Sequence, residues 1–461
     1  MSALEREGLY GSTAPTDQQR EAFLSGETPV AVYGLGKMGL PLAAVYADVT
    51  GNVVGADVDP DVVETVNRGD CHVKREPGLP ELVSDLHDRG ALRAVAEPAE
   101  AAAEAAIHVL IVPTPITDDN EPDLSILRAA TRSVAEGLSP GDIVVVECTV
   151  PPGTTGGLVR ETLLEESGLE AGEFGLAFCP ERTSSGRALE DIRGAYPKVV
   201  GGIDAESRRV ADLVYGEIND EGVLPVSDAA TAEAVKVFEG LYRDVNIALA
   251  NELAQFADEM DVDVREAIET ANTQPFCDIH DPGPGVGGHC IPFYPYFIIE
   301  PFETRAPLLR TAREVNDSMP EFTVRKLREE LDAEGTDLAE ASVLVLGLTY
   351  RPGVEEIRAS PSLDIAEQLT EAGAEVYGAD PLLDDFSGFE LKQVEIGEIY
   401  DQPFSGVIVV TPHEEFRDIN WNNMESASSL ERIVIIDGRD TFNKKDYASH
   451  RVYSIGGNNV K

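Results

Sequence analysis

Apolar residues collect along this chain in short, dense runs that end at glycine or turn residues. Residues 29–34 read PVAVYG; GLGKMG and the helical stretch PLAAVYADV follow, and then a second run, NVVGADVDP. Runs of this length, separated by a helix, predict buried parallel strands. The alternation continues through IHVLIVPTP (107–115), DIVVVECTVPPGTT (142–155) and GLAFCPERTSSG (175–186), each a strand running into a turn-rich loop. From Asp228 to about Met260 the period changes. Phe238, Leu241, Val245, Leu249, Leu253, Phe256 and Met260 recur at three- and four-residue spacing, with no Pro and one Gly. That predicts a helix of about 30 residues, roughly 45 Å long. A charged helical stretch at 311–335 leads into a last domain, where SVLVLGLTY (342–350), a helix SLDIAEQLTEAG, AEVYGADP, GVIVVTP (406–412) and RIVIIDGR (432–439) repeat the first pattern. The expected fold class is α/β, with two Rossmann-like doubly wound domains joined by a mainly helical middle domain with a long central helix. The expected boundaries are a disordered acidic leader at 1–27, a Rossmann domain at 28–227, the helical middle at 228–335 and a second Rossmann-like domain at 336–461.

The first βαβ unit carries chemistry. Gly34, Gly36 and Gly39 stand between strand and helix, and Asp57 ends the next strand 23 residues after Gly34. This is the dinucleotide fingerprint in its strand–turn–helix–strand setting: glycines admit a pyrophosphate at a helix N-terminus, and the acid accepts from ribose hydroxyls. Asp57 would repel a 2′-phosphate, so NAD is expected over NADP. Thr114 and Thr149 end later strands, at the sheet edge where ligands of open α/β sheets bind; position alone leaves them also readable as plain turn residues. Glu181 and Arg182 fall at the same edge. Lys236, Glu239, Arg243 and Asn246 form a polar stripe on the long helix, which is either a solvated face or a face open to an active site. The stretch 282–296, PGPGVGGHCIPFYPY, holds too much Gly and Pro for any helix or strand interior. It must be a shaped loop, and it presents one thiol, Cys290.

Composition narrows the partners. With 84 acidic against 36 basic residues the net charge is −48, which disfavours nucleic acid and membrane surfaces as partners. Self-repulsion on this scale is tolerable where salt screens it, so a high-salt, halophilic cytoplasm is expected. There is no apolar run long enough for a membrane span and no signal-peptide pattern at the start. Five scattered cysteines without paired spacing argue for a reducing compartment and against a disulfide framework or metal site. The long helix suggests a homodimer or higher homo-oligomer.

Taken together, GLGKMG, VPTP, CPER, AEAVKVFEGLYRDVNIALANELA, PGPGVGGHCIP, RTAREVND and GLTYRPGVEEIRASPS closely resemble the UDP-glucose/GDP-mannose dehydrogenase family, over roughly residues 28–440. The likeness is nearest the branch acting on UDP-N-acetylhexosamines, with UDP-N-acetyl-D-mannosamine the foremost substrate and UDP-GlcNAc, UDP-GalNAc or UDP-glucose the alternatives. The resemblance implies a four-electron oxidation of a sugar C6 alcohol to a carboxylate, with two NAD consumed, supplying a uronate for polysaccharides or glycans. It implies Cys290 as the nucleophile that forms a thiohemiacetal and then a thioester, Lys236 as proton shuttle or electrostatic stabiliser, and Glu181 as the group that helps activate water. It further implies that Lys37, Met38, Asp57, Thr114, Thr149 and Arg358 contact NAD. Arg182, Thr183, Arg243, Gly285, Tyr350, Arg351 and Arg439 would hold the UDP-sugar, whose domain would be the last one.

The chain departs from the family pattern in four places. Gly240 stands where Asn is usual, Tyr294 where Asp is usual, Gln274 and Phe276 where the branch often has His and Arg, and Arg351 where it has Lys. Either a water and neighbouring groups compensate for these departures, or the pocket is rebuilt for another sugar; the presence of Cys290, Lys236 and Glu181 favours rebuilding. Two readings from other classes stand beside it: a catalytically weak nucleotide-sugar binding protein, and a two-electron hydroxyacid dehydrogenase that uses Lys236 without covalent catalysis.

The charge yields a prediction. The melting temperature should rise between low and molar KCl, followed by circular dichroism; a melting temperature that stays level or falls would refute salt dependence.

Overall fold

The protein is described by a computed structural model over residues 8–427, 430–442, 449–457 and 459. The first set of apolar runs forms β1 (Val30–Tyr33), β2 (Val53–Ala56), β3 (Leu92–Val95), β4 (Ile107–Leu110), β5 (Ile143–Val146), β6 (Gly175–Phe178), β7 (Lys198–Gly202) and β8 (Val223–Pro225). They make one sheet in the order β3-β2-β1-β4-β5-β6-β7-β8. Pairing is parallel except between β6 and β7, where Ala177 faces Gly202 in an antiparallel register. Val30 and Val32 of β1 enter one apolar cluster, while Ala31 and Tyr33 enter another on the opposite face. A strand buried on both faces is why these segments read as continuous apolar runs rather than alternating ones.

The last domain holds β9 (Ser342–Leu346), β10 (Glu375–Ala379), β11 (Lys392–Gln393), β12 (Gly406–Val409), β13 (Val434–Asp437) and β14 (Arg451–Ser454). Their order, β11-β10-β9-β12-β13-β14, is all parallel and repeats the winding of β3-β2-β1-β4-β5-β6. Both sheets therefore reverse strand order beside their first strand, the point where open α/β sheets bind ligands.

In chain order, after β8 and before β9, the long helix runs Ala229–Gln255, and a separate turn, Ala257–Met260, follows it. The charged stretch at 311–335 is two helices, Pro307–Asp317 and Met319–Ala333, meeting at Ser318. Pro320 explains the break: it lacks an N–H and is tolerated only in a first turn. The described residues divide into two compact units, one within 8–239 with 296–303 and the other within 240–295 with 304–459.

The leader expected to be disordered over 1–27 is folded wherever it is described; residues 1–7 lie outside the described residues. Thr16–Leu24 is a helix, and Leu9 and Phe23 are buried in the core of the first unit. The acidic composition of the segment masked these two apolar anchors.

Candidate active site

At the end of β1 the three fingerprint glycines do three different jobs. Gly34 has φ +93°, and a Cβ there would lie 2.7 Å from the Ile111 carbonyl oxygen; a Cβ on Gly39 would lie 1.8 Å from that of Gly34. A Cβ on Gly36 would meet nothing within 4 Å. The outer pair lets strand and helix close on each other, while Gly36 leaves the N-terminus of the helix Gly39–Thr50 open to a ligand. Asp57, just past β2, accepts from the Leu35 N–H at 2.7 Å and from the Asp59 N–H at 3.0 Å. Thr114 donates its hydroxyl to the Thr149 carbonyl at 2.7 Å, tying together the loops after β4 and β5. Lys37 is exposed and Met38 half-buried beside them. These residues fit a dinucleotide, with room at Gly36 and an acid at the ribose position.

The second unit repeats the geometry and fills it. Gly347 follows β9 with φ +85°, its Cβ position 2.2 Å from the Thr411 carbonyl oxygen. Asp380 follows β10 as Asp57 follows β2. Its carboxylate, however, accepts from the N–H groups of Leu348 (2.7 Å) and Thr349 (2.9 Å) and lies 3.1 Å from His413 Nε2. Burial pushes the Asp380 carboxyl up, but His413 and the backbone donors outweigh it and the net shift is down. An acid so engaged has little left for a ribose, as the incomplete glycine motif there suggests.

Lys236 and Glu181 meet in the first unit. Lys236 is 7% exposed; its ammonium donates to the Glu181 carbonyl and lies 3.5 Å from Glu181 Oε2. Thr183 donates both its N–H and its hydroxyl to the Glu181 carboxylate, and its Oγ1 is 2.9 Å from Met38 Sδ. Burial pushes the Glu181 carboxyl up; the charge of Lys236 and the Thr183 bonds outweigh it, and it sits below the usual range. Glu233, one turn before Lys236, accepts from the Gly153 and Thr155 N–H groups and so fixes the loop after β5 to the long helix. Arg182 pairs with Glu239 at 2.6 Å and stacks on Tyr196.

In the second unit residues 282–295 of the loop have no strand, and the helical turn that follows, Tyr296–Ile299, is assigned to the first unit. Side chains hold it instead. Asn251 accepts from the Gly283 N–H at 2.9 Å, Arg265 donates to the Pro282 carbonyl at 2.8 Å, and Arg439 donates to the Gly285 carbonyl at 3.2 Å. Gly288 donates to the Arg358 carbonyl at 2.9 Å, and the Arg358 guanidinium stacks on Phe293. Gly287 and Gly288 leave room for Tyr350: a Cβ on Gly288 would strike its ring, and one on Gly287 would strike the Ala359 carbonyl oxygen and the Tyr350 Cβ. His289 Nε2 meets the Glu356 carboxylate. Burial raises the Tyr350 hydroxyl, Arg351 opposes this, and Glu356 and Cys290 add to it.

Cys290 is the exposed cysteine of the five; Cys148 and Cys179 are buried, and Cys71 and Cys277 are half-buried. Burial pushes the Cys148 thiol up to about 12 and raises Cys179 well above its ordinary value. Thiolates are the nucleophilic form, so those two thiols are inert packing groups.

The sequence-predicted residues thus gather in each unit. Gly34, Gly36, Gly39, Asp57, Thr114 and Thr149 line one sheet edge, and Glu181, Arg182, Thr183 and Lys236 form a cluster in the same unit. Gly285, Cys290, Tyr350, Arg351, Arg358 and Arg439 belong to the second unit with Arg243, which is exposed. Arg358, expected at NAD, therefore belongs to the unit with the cysteine loop. Arg439 bonds the loop backbone; burial, with Arg265 adding, lowers it to about 10.

Several groups were missed. Glu147 and Lys198 form a buried ion pair at 2.5 Å, and Tyr215 also donates to Glu147. A glutamate closing an apolar strand run was the available signal. Arg265 and Glu356 carried none, since each acts through a distant segment.

The chain matches the model of the UDP-glucose/GDP-mannose dehydrogenase family in three parts: the NAD binding domain at residues 28–219, the central domain at 230–318 and the UDP binding domain at 344–444. It is 37% identical over 414 residues to a UDP-N-acetyl-D-mannosamine dehydrogenase of Pyrococcus horikoshii, covering 89% of this chain and 95% of that one. It is 34% identical to an NDP-N-acetyl-D-galactosaminuronic acid dehydrogenase of Ralstonia nicotianae, covering 91% and 97%. The solved structure of a UDP-D-ManNAc dehydrogenase from Pyrococcus horikoshii superposes with a TM-score of 0.84 at 33% identity, covering 94% of this chain and all of that one.

The Lys236–Glu181 pair sets a pH dependence. A lowered carboxyl contributes stability above its unfolded value, and that contribution is lost as pH falls through the folded value. Lys236→Met removes the main force holding Glu181 down, so the carboxyl should titrate at higher pH than in the parent, measured by difference infrared spectroscopy against Glu181→Gln. An unshifted or lowered titration would contradict the pairing.

Proposed function

We propose that this chain, which belongs to the UDP-glucose/GDP-mannose dehydrogenase family and is an NAD-dependent UDP-sugar dehydrogenase acting on a CH–OH group, oxidises C6 of UDP-N-acetyl-D-mannosamine from alcohol to carboxylate. The observation that carries the covalent part is the exposure of Cys290 on a loop held by side chains, while Cys148 and Cys179 are buried. The relatives named UDP-N-acetyl-D-mannosamine dehydrogenase support the choice of sugar.

Gly34, Gly36, Gly39, Asp57, Lys37, Met38, Thr114, Thr149 and Arg358 would hold NAD, which would supply the hydride acceptor for each oxidation. The Lys236 ammonium steadies the oxyanion that develops at the C6 oxygen, and the hydroxyl proton leaves to solvent water. The Cys290 sulfur then adds to the C6 aldehyde, giving a thiohemiacetal whose oxidation leaves a thioester. Water, oriented by Glu181, breaks the C–S bond, releasing the carboxylate and restoring the thiol. Arg182, Thr183, Arg243, Gly285, Tyr350, Arg351 and Arg439 hold the UDP-sugar, the arginines through its charged oxygens.

Two further parts belong to this reading. Tyr242, Leu249 and Phe256 are exposed at seven-residue spacing along the long helix and just past its end, with Met260 beyond them; a homodimer covers them, with light scattering as its test. The acidic surface suits a halophilic cytoplasm, where the uronate feeds polysaccharide or glycan synthesis.

The test is a panel of UDP-sugars assayed at molar KCl for NADH release. UDP-N-acetyl-D-mannosamine should yield two NADH per sugar, and Cys290→Ala should lose the second oxidation. One NADH per sugar in the parent would overturn the covalent route, and preference for UDP-GalNAc or UDP-glucose would overturn the substrate.

A further inference from the structure

We propose that Gly240 and Tyr294 form a single positioning element that seats the Cys290 turn against the long helix. Gly240 is the one glycine of the helix Ala229–Gln255, at an interior position where glycine weakens a helix relative to alanine. The structure shows what that weakness allows. A Cβ on Gly240 would lie 1.7 Å from Tyr294 Cδ2, 2.6 Å from Cγ and 2.7 Å from Cε2. The ring therefore occupies the space of the missing side chain, resting on helix backbone that no other residue would leave bare. It is deeply set, with Tyr294 only 7% exposed.

Tyr294 is joined to the nucleophile by a single turn of backbone. Its N–H donates to the Cys290 carbonyl at 2.9 Å, and the Phe293 N–H donates to the same oxygen at 3.0 Å. The turn from Cys290 to Tyr294 is thus closed by two backbone bonds at one end and by the ring–glycine contact at the other. A displaced ring must shift the turn, and the shift reaches the thiol. Gly240 and Tyr294, two departures 54 positions apart in sequence, are in this structure one event: the ring can lie there only because position 240 has no side chain.

The role assigned to Tyr294 is positioning through Cys290, and it rests on the reading of Cys290 as nucleophile. The test is a double-mutant cycle on the full chain at molar KCl, read by melting temperature and by the rate of Cys290 alkylation with iodoacetamide, with kcat and KM alongside. Gly240→Ala should lower the melting temperature, change the alkylation rate and cut kcat on the order of 10²-fold, as misplacement of a reacting group by about 1 Å does. In a Tyr294→Ala background the same change should raise the melting temperature, because alanine is then the better helix residue. Tyr294→Phe keeps the ring and should leave the alkylation rate unchanged. If Gly240→Ala does not fold alone, its recovery by Tyr294→Ala is the same result in stronger form. An equal effect of Gly240→Ala in both backgrounds, or an alkylation rate that Tyr294→Ala does not move, would overturn the proposal. The reversal in melting temperature needs no turnover, so it stands apart from failure of the catalytic reading, which the NADH stoichiometry of Cys290→Ala reports.

Discussion

The helix Ala229–Gln255 is an unbroken hydrogen-bonded ladder of 27 residues, and the functional loops are attached to its successive turns. Within the first unit Glu233 holds the loop after β5, Lys236 holds Glu181, and Glu239 holds Arg182. Within the second, Gly240 receives Tyr294, Asp244 pairs with Arg313 at 2.6 Å, Asn246 accepts from His280, and Asn251 accepts from Gly283. A helix advances about 1.5 Å per residue and turns by a fixed angle, so the spacing of these residues sets where each loop begins. Of the polar stripe seen in sequence, Lys236, Glu239 and Asn246 are attachment points while Arg243 is exposed, and the buried Glu233, Asp244 and Asn251 extend the row.

Burial divides the chemical labour. The Glu181 carboxyl is ionised despite its surroundings because Lys236 and Thr183 compensate for lost solvent. The Glu147–Lys198 pair deeper in the same unit influences it further, since Lys198 also draws Glu181 down. The inert thiols of Cys148 and Cys179 are enclosed, whereas Cys290 stands on a loop whose backbone is fixed but whose side chain is open. The second Rossmann-like domain shows the converse: Asp380 spends its lone pairs on its own loop and on His413, leaving that sheet edge to a ligand without a dinucleotide's demand for a free acid.

Local patterns were legible where one segment carries its own cause. Buried parallel strands declare themselves as apolar runs, and the β1 turn declares itself by Gly34, Gly36, Gly39 and the acid after β2. The glycine loop and its thiol stood out because no regular element tolerates that composition. Effects that join distant segments were not legible. The antiparallel β7 depends on its partner, Phe23 reads as one apolar residue in an acidic stretch, and Arg265 shows no sign of the carbonyls it serves at Pro282, Gly438 and Ile455. Gly240 and Tyr294 were each visible as oddities, but only the fold makes them one contact.

The proposed route requires a loop without secondary structure to be held firmly enough to deliver a covalent nucleophile to C6. Intact-protein mass spectrometry of Glu181→Gln, mixed with NAD and UDP-N-acetyl-D-mannosamine at molar KCl and quenched in acid, tests it most directly. With water activation impaired, the account predicts a nucleotide-sugar acyl adduct that peptide mapping places on Cys290. Unmodified protein after both oxidations, or an adduct on another residue, would contradict it.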